Sequence, residues 1–232
     1  MFRVFKLKKI IVALLIVSIS ILLSVGIVNV ASSEKVPKPM YTIVIDAGHG
    51  GRDDGCSGVN GTKESEINLS ISKVLRDYLN VLGINVVMTR SDGNGLYDAN
   101  VDNYKLSDMN NRLKIISDAN PNMVISIHQN SYSDSTQKGA QVFYQEGDEE
   151  SKNFADSVKS QLIRQLPNTR QEIIKGDYYL LKESHIPAII VECGYLTNAE
   201  EEVLLTSDEY QKKVAYSIVC GVIKYFNLCG ND

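Results

Sequence analysis

Several features are missing from this 232-residue chain, and each absence closes off a class of function. No Gly-Lys-Ser/Thr follows its glycine-rich turn, so that turn is not a phosphate-binding loop. The four cysteines, Cys56, Cys193, Cys220 and Cys229, show no C-x-x-C pairing. That removes a structural zinc site of the usual spacing and leaves buried packing as their default use, with a disulfide still open. No internal repeat and no low-complexity segment is present. Basic charge is short as well: beyond residue 33, 20 Lys and Arg face 28 Asp and Glu, a formal charge of −8, which argues against a nucleic-acid partner. Histidine occurs only three times, at His49, His128 and His185.

What remains is 44% hydrophobic and 22% charged, enough for one globular domain with a sizeable core plus a short appendage. The appendage is at the amino terminus. Residues 1–9 form a basic flank containing Arg3, Lys6, Lys8 and Lys9, the side that stays in the cytoplasm, and residues 10–33 form an uncharged run long enough to cross a bilayer. Val30-Ala31-Ser32 offers a cleavage site, so the run reads either as a signal-anchor holding the chain to the membrane or as a signal peptide. In both cases the remainder is exported. Residues 34–39, with Pro37 and Pro39, read as a tether, residues 40–228 as the globular domain and 229–232 as a tail.

Within the domain, apolar β-branched runs alternate with amphipathic helical patterns. Strands are expected at Tyr41–Asp46, Asn85–Arg90, Met123–Ile127, Gly139–Tyr144 and Pro187–Glu192. Helices are expected from Glu64 to Leu82 with Gly83 beyond the end, from a Ser107 cap through Ile116, from Glu149 to Leu166, and from Ser207 to Asn227. Such alternation predicts an α/β fold: a single domain with a mostly parallel twisted sheet, helices on both faces, and its functional crevice beyond the carboxyl ends of the strands.

Chemistry-bearing residues collect at those ends. Asp46-Ala47-Gly48-His49-Gly50-Gly51 carries a histidine off the first strand into a glycine turn, His128 follows the third apolar run, and Glu192 ends another. A catalytic zinc takes three protein ligands from His and Glu or Asp and leaves one position open, and His49, Glu64 and His128 supply that set. Glu66 competes with Glu64 for the carboxylate role. Glu192 is then the natural base for an attacking water, unless it is a structural carboxylate paired with Arg52 or Arg112. Tyr178, Tyr179 and Tyr195 are candidates to flank a saccharide or peptide groove. His185 receives no role.

The segments Asp46–Gly51, Glu64–Leu69, Ser126–Asn130 and Pro187–Asn198 resemble, in order and spacing, those of the zinc-dependent N-acetylmuramoyl-L-alanine amidases of the Amidase_3 family. The resemblance implies one catalytic zinc held by His49, Glu64 and His128, with Glu192 as the catalytic carboxylate. The implied reaction is hydrolysis of the amide between the lactyl group of N-acetylmuramic acid and L-alanine in peptidoglycan. Two departures border the site: Gln129 where the family usually has a small residue, and Gly55-Cys56 where it usually has Gly-Ala. A lone domain behind a membrane segment is similar to the germination-specific, CwlD-type members of the family. These trim spore cortex toward muramic-δ-lactam in the space between the two forespore membranes. The absence of a built-in plug suggests control by an exported activating partner. Two rivals stand beside this reading: a catalytically silent peptidoglycan-binding scaffold, and a zinc carboxypeptidase or deacetylase on the same polymer.

Overall fold

The computed structural model describes residues 41–228. The expected membrane or signal segment, the tether and the tail with Cys229 lie outside the described residues. Among the described residues, no helix is long and apolar enough to cross a membrane.

In chain order the elements are β1 (Thr42–Ala47), α1 (Glu64–Val81), β2 (Asn85–Met88), α2 (Tyr104–Ala119), β3 (Met123–Asn130) and β4 (Gln141–Tyr144). They continue with α3 (Glu149–Gln165), β5 (Ile174–Lys175), α4 (Tyr179–Glu183), β6 (Ala188–Tyr195), α5 (Ala199–Leu205) and α6 (Asp208–Phe226). One six-stranded sheet results, in the order β2-β1-β3-β6-β4-β5. The first four strands run parallel, while β4 lies antiparallel against β6 and carries β5 parallel to itself. The sheet is therefore mixed, where a mostly parallel one was expected. The cause is the connection from β3 to β4: residues 131–140 contain no helix to carry the chain back across the sheet, so β4 starts near the end where β3 stops and runs the other way.

Alternation along the strands builds two cores. Ile43, Ile45, Ile125, Ile127, Ile189 and Val191 pack on one face with α1, α3 and α6. Val44, Val124, Ala188 and Ile190 pack on the other with α2 and α4. Each such side chain, once fully buried, contributes about 1.5–3 kcal/mol, so the central strands are the stiffest part of the molecule. Side chains at their carboxyl ends inherit that rigidity.

Several boundaries differ from expectation for local reasons. The second helix begins at Tyr104, because Asn103 is the residue whose side chain accepts from the Leu106 amide. Ser107 lies inside the helix, and its hydroxyl donates to Asp98. β3 runs on to Asn130, so His128 sits within the strand and not past its end. The short elements β5, α4 and α5 carry too few residues for a period to register. Cys56, Cys193 and Cys220 are free thiols, in keeping with a packing role.

Candidate metal centre and active site

His49 leaves the sheet through a strained turn. Its own φ is 62°, unusual for a non-glycine residue, and the turn is held by two buried arginines that bind its carbonyls. Arg112 donates to Ala47 O at 2.8 Å and His49 O at 2.7 Å, and Arg90 donates to Ala47 O at 2.8 Å and Gly48 O at 2.9 Å. A Cβ at Gly48 would lie 2.3 Å from the His128 ring, so only glycine lets the two histidine-bearing strands approach this closely.

His128 and Glu192 are in-register neighbours on β3 and β6, and the register shifts immediately beyond them, between His128 and Asn130. Glu64 reaches the same place from the first turn of α1. Its Oε1 lies 2.9 Å from His128 Nδ1 and 3.2 Å from His49 Nε2, and the two imidazoles meet edge to face with ring centres 5.0 Å apart. Among the described residues, His49, Glu64 and His128 form a group able to hold a metal ion, each offering one ligand atom and all three atoms within 4.8 Å of one another. Glu66, by contrast, is exposed on the other side of α1 and is not in the group.

The electrostatics agree with a cation site. Burial works against charge on Glu64, but the imidazoles of His128 and His49 overrule it and hold the carboxyl far below the usual carboxylate range. Burial also opposes charge on His49, yet the Glu64 and Asp53 carboxylates lift its imidazolium to about 9. Glu192 behaves differently. It is 7% exposed, and its Oε2 is buried without any hydrogen-bond partner. Burial pushes its carboxyl up to about 7, with the His128 charge opposing and the Glu64 charge adding.

The family described as Amidase_3, N-acetylmuramoyl-L-alanine amidase, matches residues 43–224. That span covers all of the sheet but its first residue, Thr42, and every residue of the site. The chain belongs to the Amidase_3 family of N-acetylmuramoyl-L-alanine amidases. It is 34% identical over 194 residues to the germination-specific N-acetylmuramoyl-L-alanine amidase of Bacillus subtilis, a match covering 82% of this chain and 81% of that protein. Among solved structures it is similar to the CwlD amidase of Clostridioides difficile in complex with the GerS lipoprotein, at 37% identity and a TM-score of 0.77, over 81% of this chain and 99% of the other. The catalytic domain of CwlV, the amidase of Bacillus (Paenibacillus) polymyxa var. colistinus, is similar at 31% identity and a TM-score of 0.72, over 81% and 99% of the two chains.

In this Amidase_3 domain the groups supporting the site were not legible in advance. Asp53, four residues after His49, binds His49 Nδ1 at 2.8 Å and leaves Nε2 directed at the centre, and Lys105 holds Asp53 in turn at 3.1 Å. Asp46 is fully enclosed by Arg112 at 2.6 Å, Ser126 at 2.6 Å and Thr89 at 2.8 Å. Arg112 is therefore engaged with Asp46 and Asp108, and Arg52 lies over the Tyr97 ring. Neither arginine pairs with Glu192, which removes the structural account of that carboxylate. A groove of about 290 Å³ opens from the amidase's His49 and His128 between α2 and α4, walled in part by Tyr97, Tyr104, Met109, Tyr178 and Tyr179. Tyr195 does not belong to it, being buried at the end of β6.

Proposed function

We propose that residues 40–228 are the catalytic domain of an exported zinc amidase. It cleaves the bond between the lactyl group of N-acetylmuramic acid and L-alanine in spore-cortex peptidoglycan and so prepares muramic-δ-lactam formation. The observation that carries the reading is the meeting of two imidazoles and a buried carboxylate beside the unpartnered oxygen of Glu192. The donor set fits the metal: two nitrogens and a carboxylate are what a catalytic zinc takes, and Cys56 is not among the converging donors. His49, Glu64 and His128 would hold the ion, which when bound supplies a Lewis acid for the scissile carbonyl and for water.

The chain's own contribution centres on Glu192. Its carboxylate takes a proton from the attacking water as the new C–O bond forms, and gives it to the L-alanine nitrogen as the C–N bond breaks. A carboxyl held near neutrality by burial can do both. The tyrosine-lined groove offers flat apolar surface for the glycan or the stem. Residues 10–33 set the location, as anchor or cleaved signal, in the space between the forespore membranes. Control by an exported partner finds support in the CwlD structure, solved in complex with the GerS lipoprotein. A digest of purified cortex peptidoglycan, read by mass spectrometry, tests the reading. Stem peptides beginning with free L-alanine should appear with zinc and disappear with a chelator; cleavage at any other bond, or none with zinc and partner present, overturns it.

A further inference from the structure

Two residues of the short helix α5 have side chains that turn inward despite their charge. Glu202 is 1% exposed and finds its partners across the molecule, in the loop that precedes α1. Its carboxylate accepts from the Asn60 amide at 2.9 and 3.1 Å, from Asn60 Nδ2 at 3.0 Å and from the Thr62 amide at 3.4 Å. The contact is tight: a Cβ at Gly58 would lie 2.2 Å from Glu202 Oε1.

The loop gripped in this way is a small hairpin. Ser57 and Lys63 pair across its stem, and Gly58 and Thr62 bond through the Gly58 amide at 2.8 Å. Just below the stem, the backbone of Cys56 and the residue Glu64 hold each other reciprocally. The Glu64 amide donates to Cys56 O at 3.1 Å, and the Cys56 amide donates to Glu64 Oε2 at 2.8 Å. That second bond occupies one carboxylate oxygen and leaves Oε1 to face the imidazoles. Lys63 offers α1 no side-chain cap. Oε1 is steadied separately by the Gln129 amide at 3.1 Å and Asn68 Nδ2 at 3.2 Å, so the loop's share in orienting Glu64 is its hold on Oε2.

We propose that Glu202 is a positioning residue for the metal centre: by fastening the tip of the 57–63 hairpin it fixes the Cys56 amide, and through it the direction in which Glu64 presents its ligand oxygen. The inference rests on the reading of His49, Glu64 and His128 as the zinc ligands. A carboxylate is suited to the task because it accepts several backbone N–H groups at once, which an amide or hydroxyl does less strongly.

The test is zinc affinity of the full-length protein, measured by competition with a chromophoric chelator, together with amide exchange at Cys56. Glu202→Ala should weaken zinc about tenfold or more, the range for losing a group that orients a ligand. It should also speed exchange at Cys56, and Glu202→Gln should recover part of both. Should Glu202→Ala not fold, Gly58→Ala, whose Cβ would meet Glu202 Oε1 at 2.2 Å, carries the same expectation. His128→Ala, measured alongside, separates the two ideas. If it loses zinc while folded Glu202 variants bind with unchanged affinity, the positioning role is refuted and the metal site stands; if His128→Ala binds zinc normally, the metal reading itself has failed.

Discussion

Replacing Arg112 by Met is the perturbation whose cost the structure defines best. The guanidinium is 1% exposed and spends its donors on Asp46, Asp108, Ala47 O and His49 O. Methionine fills similar volume but leaves Asp46 buried with two hydroxyls and no cation, and leaves the two turn carbonyls short of a donor. Breaking one side of a buried pair costs about 3–5 kcal/mol, a large part of a total stability of about 5–15 kcal/mol. Acid behaviour gives a second handle. Burial raises the Asp46 carboxyl, but the Arg112 charge and the Ser126 hydrogen bond overrule it and bring it from 3.8 to about 2. A carboxyl depressed on folding contributes stability that is present above pH 4 and lost as pH falls through 2, here about 2 kcal/mol. Urea unfolding followed by circular dichroism should show the loss at pH 7 and a flatter acid limb in Arg112→Met. Pairing the change with Asp46→Asn should cost less than the sum of the single variants, since the two groups are in contact. A loss under about 1 kcal/mol, or strict additivity, would show that the turn carrying His49 does not depend on this pair.

Glu192→Gln should keep zinc affinity within a few fold of wild type while turnover on cortex peptidoglycan falls about 10²–10⁴-fold, the usual worth of a general acid–base group. A variant that loses zinc along with activity would move Glu192 into the ligand set. Zinc affinity should itself rise about tenfold per pH unit between pH 7 and 9, because the His49 imidazolium, held to about 9 by Glu64 and Asp53 against burial, must give up its proton to bind metal. Metal-free protein should behave oppositely: a raised histidine pKa stabilises below pH 6.5, and that stability is lost as pH passes through 9. Melting temperatures in chelator across this range check the sign, and a flat profile would refute the His49–Glu64 pairing.

The parts of this protein that local pattern encodes were readable without coordinates. Ile43, Ile45, Ile125 and Ile127 announce central strands because a buried strand needs apolar, β-branched residues in succession, and Ile67, Ile71, Leu75 and Leu79 announce α1 because a helix buries one stripe. The four segments around His49, Glu64, His128 and Glu192 pointed to one site because α/β folds gather strand ends. Tertiary structure decided everything that depends on residues distant in the chain. Sequence could not say that the sheet turns antiparallel at β4, or that Arg112 belongs to Asp46 and leaves Glu192 unpaired. Those outcomes depend on which surfaces share a small buried volume, and charge pairing across such a volume has no period along the chain. The same reason kept Glu202 hidden: its partners, Asn60 and Thr62, lie about 140 residues earlier, and only folding brings a carboxylate to their amides.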